Sequence, residues 1–162
     1  VTHKVINTNA EEMYFSIGAH PAFNCNLGDT LTFEHDETLY SERIDRDSVI
    51  TGDKDLILQN SNKIELTEHL FDKDALIFSN VKSNYVILNE KNAGKHIRFT
   101  FGDSPFLAIW AKPAAPFVCI EPWYGVNDSY EKATDFSKKR GIQKLSSGEK
   151  FEFSWSAEFK ED

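Results

Sequence analysis

The segment Phe151–Phe159 carries aromatic residues or alanine at every second position, with glutamate or serine between them. Side chains on a β-strand alternate between its two faces, so this pattern predicts a strand with one buried, aromatic face. A register shift of one residue would expose every aromatic ring to water. The pairing of this strand is therefore expected to be strongly fixed, and it constrains the fold more than any other stretch.

Shorter segments of the same kind recur at close spacing along the chain. Bounded by Asn, Gly, Ser or Pro, they are 2–7, 13–18, 30–35, 75–81, 85–89, 97–101, 106–110 and 118–120. Short alternating strands without an internal repeat or a linker indicate an all-β fold, an antiparallel β-sandwich in one domain over residues 1–162. The first two segments are expected to pair as a hairpin. The polar stretches 36–55 and 123–139 are expected to be long loops, where sites are usually built.

Composition and charge disfavour several classes of partner. The 162 residues carry a formal net charge of −8, which disfavours binding to nucleic acid or to an anionic membrane surface. No apolar run approaches the roughly 20 residues that a membrane-spanning helix needs. Cys25 and Cys119 form no CxxC motif, and no secretory leader is expected. Reduced thiols in a cytoplasmic protein are therefore expected.

Glu121 is the first residue that the sequence singles out for chemistry. The apolar run Phe117–Ile120 is predicted to be a buried strand, and it is followed by Glu121 and a Pro-Trp-Tyr-Gly turn. A carboxylate that leaves a buried strand among aromatic side chains is expected to have a raised pKa and to lie beside a bound ring. The alternative is a strand end whose carboxylate lies in water.

His20 is the predicted partner of this glutamate. Pro21 has no N–H and restricts His20 to an extended conformation, so His20 lies at a constrained exit from the strand 13–18. The alternative is a turn histidine exposed to water. An acid, a base and a flat aromatic wall would suit proton transfer on a carbohydrate-like ligand. The five histidines show no metal-ligand spacing, so no metal site is predicted unless distant residues assemble one.

Two motifs resemble those of a known family. The sequence GAHPAFN at 18–24 is similar to the histidine motif of the aldose 1-epimerase (galactose mutarotase) family, and CIEPWYG at 119–125 is similar to its glutamate motif. The segment IWAKP at 109–113 and the turn at 147–149 also fit the family. The residues of these motifs are most similar to those of the mutarotase-related, LacX-like branch found in bacteria. The resemblance implies a β-sandwich of the large supersandwich type.

The resemblance also implies an activity and a set of residues. The activity is interconversion of the α and β anomers of a free sugar without a cofactor. His20 would protonate the ring oxygen as general acid, and Glu121 would take the proton of the anomeric hydroxyl as base. Asp74 would bind sugar hydroxyls, with Asp72 as the alternative, although either aspartate could instead cap a turn. The other substrate-binding residues implied are Trp110, Lys112, Trp123, Tyr124 and Asn24. Trp110 could equally be part of the core.

The sequence departs from the family pattern at its start. The family's N-terminal segment has an arginine and a further histidine in an HGF-type motif. This motif is not found here, and residues 1–7 already resemble the interior of a strand. The chain is therefore expected to be the C-terminal portion of the domain, with the N-terminal part as its partner beside the sugar substrate. Three alternatives stay open. They are a hexose-6-phosphate epimerase with Lys112 and 138–140 at the pocket mouth, a non-catalytic carbohydrate-binding protein, and a structural fragment that mainly pairs with the N-terminal part.

Overall fold

The computed structural model describes residues 1–91, 94–113, 115–131 and 135–161. Within them lie fourteen strands and one short 3₁₀ helix, Phe136–Lys138. The strands are β1 Thr2–Ile6, β2 Met13–Phe15, β3 Ile17–Gly18, β4 Ala22–Asn24, β5 Thr30–Ile44, β6 Ile50–Glu65, β7 Leu76–Ser79, β8 Tyr85–Asn89, β9 Lys95–Thr100, β10 Phe106–Trp110, β11 Phe117–Tyr124, β12 Gln143–Leu145, β13 Lys150–Ser154 and β14 Ser156–Glu161. In this part of the chain no helix is long and apolar enough to cross a membrane.

Ten strands form one antiparallel sheet in the order β14-β9-β8-β5-β7-β10-β11-β3, with β4 added beside β11 and β6 beside β5. Two small sheets accompany it, one made of β1 and β13 and the other of β12 and β2. Every strand pairing is antiparallel, and consecutive strands of the main sheet are often far apart in sequence. The predicted all-β, antiparallel sandwich class is confirmed.

The longest hairpin of the molecule, β5–β6, occupies the stretch 36–55 that the sequence predicted to be a loop. That prediction was wrong, because only residues 45–49 separate the two strands. Register shifts, such as the one between Glu42 and Ile44, interrupt the pairing and with it the alternation of side chains. Glu37 and Glu42 also point inward and are buried, so polar residues occupy positions where a sequence pattern would need apolar ones. The second predicted loop begins after Tyr124, contains the 3₁₀ helix, and in part (132–134) lies outside the described residues.

The two ends of the chain pair with each other rather than locally. β1 pairs with β13 and β2 pairs with β12, so the hairpin predicted from the first two segments was wrong. Asn7 explains this, because its buried side-chain amide donates to the carbonyls of Glu11 and Leu145 and ties the turn after β1 to β12. The predicted strand Phe151–Phe159 is divided at Trp155, where the chain passes from pairing with β1 to pairing with β9.

Strands β10 and β11 separate two apolar clusters. Leu107 and Ile109 on β10, together with Val118 and Ile120 on β11, belong to the main core. The alternate residues of β10 face the other way, where Phe106 and Ala108 join a smaller cluster. Side chains two positions apart share a face, so Cys119, Glu121 and Trp123 lie on this second face as well. The main core therefore packs against one face of β10 and β11, and Glu121 lies on the opposite face.

Candidate active site

Glu121 lies in the middle of β11, not at its end. The strand continues through Pro122 and Trp123 to Tyr124, so the predicted Pro-Trp-Tyr-Gly turn begins later than expected. Glu121 is paired with Ala108 on β10, and its side chain is only 3% exposed. The expectation of a carboxylate among buried groups therefore agrees with the structure, whereas its placement at a strand end was wrong.

His20 lies opposite Glu121 because the chain around it runs along the free side of β11. β3 and β4 flank His20, and both pair with β11. Between them the backbone N–H of Ala19 donates to the carbonyl of Pro122 at 3.0 Å, and the N–H of Ile120 donates to the carbonyl of Pro21 at 3.2 Å. His20 Nε2 comes within 3.4 Å of Glu121 Oε1, while 61% of the histidine side chain stays exposed. The two residues singled out by the sequence are thus neighbours in space.

The electrostatics of the pair follow from this unequal burial. Desolvation raises the pKa of Glu121, because its charged form loses contact with water; the nearby His20 and a hydrogen bond from Trp123 act in the opposite direction. A carboxylate with a raised pKa is a stronger base than one in water. The His20 imidazole, in contrast, is largely exposed to solvent. The arrangement places a buried carboxylate beside an imidazole that solvent can reach.

A cavity of about 240 Å³ adjoins this pair, and we call it the acid–base cavity. Its lining residues are His20, Ile44, Asp74, Ala75, Ile77, Trp110, Glu121, Trp123 and Asn127. A second cavity of about 400 Å³ borders the other side of the pair and shares His20, Glu121, Trp123 and Asn127 with it. A larger depression of about 830 Å³ lies elsewhere, against β8, β9 and β14, and does not include the pair.

The floor and walls of the acid–base cavity follow from the sheet register. Glu121, Ala108 and Ile77 are directly opposite one another on β11, β10 and β7, so the floor beside the carboxylate is low and apolar. Trp123 lies two positions after Glu121 on β11. Trp110 lies two positions beyond Ala108 on β10, and the edge of its ring system meets His20 at 6.2 Å between centroids. Two indoles therefore border the floor on opposite sides.

Asp74 lines the acid–base cavity, and Asp72 does not. Asp74 has a left-handed backbone with φ of 78°, and its Oδ1 accepts the backbone N–H of Ala75 at 2.7 Å. Asp72 Oδ2 lies 3.0 Å from His69 Nδ1 and lines a neighbouring depression instead. Of the two aspartates left open by the sequence, Asp74 is the one placed near the acid–base pair.

The remaining predicted binding residues are spread over other parts of the surface. The hydroxyl of Tyr124 donates to Asp103 at 2.7 Å, its ring packs against Phe151 and Phe153, and it touches only the second cavity. Lys112 lines a narrow depression beside Leu66, and Asn24 lines the larger one near β14. Their part in substrate binding stays a prediction.

Several residues of the site were missed by the sequence reasoning. Ile77 carries no chemical signal, and its place in the floor depends on pairing between strands far apart in sequence. Asn127 lies in the loop after β11, which the sequence did mark as a region for sites. Cys119 lies two positions before Glu121 on the same face of β11, a spacing that a strand prediction could have used.

The chain belongs to the aldose 1-epimerase family, whose model matches residues 1–155. It is 33% identical to protein LacX of Lactococcus lactis over 153 residues, which cover 88% of this chain and 51% of LacX. A galactose mutarotase related enzyme from Lactobacillus acidophilus superposes with a TM-score of 0.88 at 27% identity, over 98% of this chain and 56% of that one.

A galactose mutarotase-like protein from Lactobacillus casei gives a TM-score of 0.87 at 29% identity, over 98% of this chain and 58% of that one. The fold is therefore of the galactose mutarotase type, and the sequence is similar to that of LacX. The chain spans about half the length of the relatives that it matches.

Proposed function

We propose that the chain is the C-terminal part of an isomerase that interconverts the α and β anomers of a free hexose. The observation that carries the proposal is the approach of His20 to within 3.4 Å of the buried Glu121, beside a cavity bordered by two tryptophans. Indole faces stack on the apolar C–H face of a pyranose. Membership of the aldose 1-epimerase family supports the same reaction class.

The proposed mechanism moves two protons. Glu121 takes the proton of the anomeric hydroxyl while His20 gives a proton to the ring oxygen, and the bond between C1 and that oxygen breaks to leave the open aldehyde. Rotation about the bond to C1 presents the other face, and reclosure with the roles reversed gives the other anomer. The hydroxyl and the ring oxygen are bonded to the same carbon, so an acid and a base that lie next to each other suit this reaction.

Further groups on the sugar would be held by Asp74 and by the indoles of Trp110 and Trp123. The part of the protein beyond residues 1–162 would complete the site, in keeping with the share of the relatives that this chain spans. No cofactor takes part in the proposed steps. The domain is accordingly proposed to be a single aldose 1-epimerase-like domain of which these residues are the C-terminal portion.

The experiment is polarimetry of freshly dissolved sugar with the full-length protein. Replacing His20 by Gln or Glu121 by Gln is expected to lower the mutarotation rate by about 10²–10⁴-fold, the usual contribution of a positioned acid or base. His69→Gln is the matched control, because His69 is an exposed histidine paired with Asp72 outside the acid–base cavity. Unchanged rates in both variants would contradict the proposal. Sugar-dependent thermal stabilisation without any rate enhancement would favour a carbohydrate-binding protein instead.

The phosphorylated-sugar alternative has less support from the geometry. A 6-phosphate would need basic side chains at the cavity mouth. Arg140 binds Glu42 at 2.8 Å, Lys139 binds Asp128 at 2.9 Å, and Lys112 lines a different depression. Arg140 and Lys139 are thus engaged with other carboxylates, Lys112 lies outside the acid–base cavity, and a neutral hexose is the proposed substrate.

A further inference from the structure

Cys119 adds a third potential ligand atom beside the acid–base pair. It lies two positions before Glu121 on β11, is paired with Trp110, and is only 2% exposed. The His20 ring nitrogen, the Cys119 Sγ and a Glu121 carboxylate oxygen all lie within 4.8 Å of one another. Imidazole, thiolate and carboxylate are the three ligand types that bind Zn²⁺ in proteins.

The spacing of these atoms is close to that of a tetrahedral metal site. Metal–ligand bonds of about 2.0–2.3 Å place neighbouring ligand atoms roughly 3.3–3.7 Å apart. The separation of 3.4 Å between His20 Nε2 and Glu121 Oε1 already falls in that range. The sulfur would need to move by about 1 Å at most, and the exposed His20 ring can adjust while β11 stays fixed by its neighbours on both sides.

A cation that binds to these side chains has to displace the proton of the Cys119 thiol. Burial raises the pKa of Cys119 to about 11, and the nearby Glu121 charge acts in the same direction, so the thiol is protonated near neutral pH. A divalent cation would displace the thiol proton to solvent and form one metal–sulfur bond, with the nitrogen and oxygen lone pairs completing three ligands. No electron is transferred in this step.

We propose that His20, Cys119 and Glu121 form a binding site for a thiophilic divalent cation such as Zn²⁺ or Cd²⁺. The bound cation would occupy the lone pairs that the proposed epimerase reaction needs, so cation binding and mutarotation would exclude each other. Only this mutual exclusion of cation binding and mutarotation rests on the proposed function. Binding itself depends on the three side chains alone.

The test is titration of the intact protein with Cd²⁺, followed by the ultraviolet charge-transfer absorption of the cadmium–thiolate bond. Wild-type protein is expected to develop the band to saturation at one Cd²⁺ per chain. Cys119→Ser should abolish it, whereas Cys25→Ser should retain it. Cys25 is a matched control, because it is also buried with a pKa raised to about 11, but belongs to no such cluster in the described residues.

His20→Gln guards against a folding defect in the cysteine variant, since the His20 side chain is largely exposed. It is expected to weaken Cd²⁺ binding at least about tenfold. Absence of the band in wild-type protein, its survival in Cys119→Ser, or unchanged affinity in His20→Gln would each overturn the site. In the polarimetric assay Zn²⁺ should slow wild type and Cys25→Ser but not Cys119→Ser. If the protein showed no mutarotation at all, the cadmium band would still decide the metal site.

Discussion

Glu121 and Glu42 stand at the two ends of one row across the sheet, and their surroundings differ. Glu121 is opposite Ala108, Ala108 is opposite Ile77, and Ile77 is opposite Glu42, so both carboxylates point to the same face. Both are almost fully buried, at 3% and 2% exposure. Glu42 is bound by the guanidinium of Arg140 at 2.8 Å, whereas the neighbour of Glu121 is the exposed imidazole of His20 at 3.4 Å.

The two partners distinguish a buried carboxylate in a structural ion pair from one that could take part in a reaction. An arginine is always charged and holds Glu42 as a permanent ion pair, with Phe106 packed below the guanidinium. The side chain of His20 is instead 61% exposed, so solvent reaches the partner of Glu121. Burial of a carboxylate is therefore a weak indicator of function until its partner is known.

Glu42→Gln is expected to have the largest effect on stability in this comparison. It removes one partner of a buried pair, but Arg140 is half exposed and its charge can return to water, so we expect a loss of about 1–3 kcal/mol rather than the larger cost of a fully buried charge. Chemical denaturation of wild type and variant measures it, and the mutarotation rate should fall far less than in Glu121→Gln. An equal loss of rate in both variants would contradict the distinction between the two ends.

A smaller effect is expected at the wall of the Glu121 end. Trp110→Leu removes the aromatic face beside His20 and should raise KM for the sugar about threefold to tenfold, with a smaller change in kcat. Trp155→Leu is the control, because Trp155 lies between β13 and β14 and packs on Phe99 in the main core. A KM unchanged in Trp110→Leu, or raised equally in both variants, would count against stacking at this wall.

At one end of this row the sequence predicted that His20 would be the partner of Glu121, and at the other end it did not predict the ion pair of Glu42. Glu121 was found because it follows an apolar run, and His20 was found because Pro21 restricts it at the exit from a predicted strand. The family resemblance then linked these two residues, which are far apart in sequence. The contact of Glu42 with Arg140 was missed because Glu42 lies in a stretch that was predicted to be a loop. Bulges in β5 and β6 hide the alternation there, and the contact with Arg140 joins positions that no local pattern connects.

The same reason explains the errors and successes in the fold. Strands that are short apolar runs, such as Tyr85–Asn89 and Phe106–Trp110, were placed correctly because their burial is encoded locally. Their partners were not, because pairing across the sheet depends on the whole set of strands. The assembly of Cys119 with His20 and Glu121 likewise depends on how the strands pair, although Cys119 and Glu121 lie two positions apart on β11.

The pH dependence of stability sharpens the comparison further, with the smallest expected effect. The pKa of Glu121 is raised above its ordinary value of 4.5 by burial, so the folded state holds the proton more tightly than the unfolded chain. Glu34 on β5 is the opposite case, because hydrogen bonds from Asn84 lower its pKa. Relative to Glu121→Gln, wild type should lose stability as pH rises from about 4.5 through the raised pKa.

Relative to Glu34→Gln, wild type should instead lose stability as pH falls below 4.5 through the lowered pKa, since its ionised form is the one that the fold stabilises. Thermal unfolding of the three proteins across this range gives two difference curves of opposite slope. Parallel curves would contradict a raised pKa at Glu121. A raised pKa of Glu121 also predicts that the mutarotation rate increases with pH through this same range. The deprotonated carboxylate is the form that burial destabilises, and it is also the proposed base.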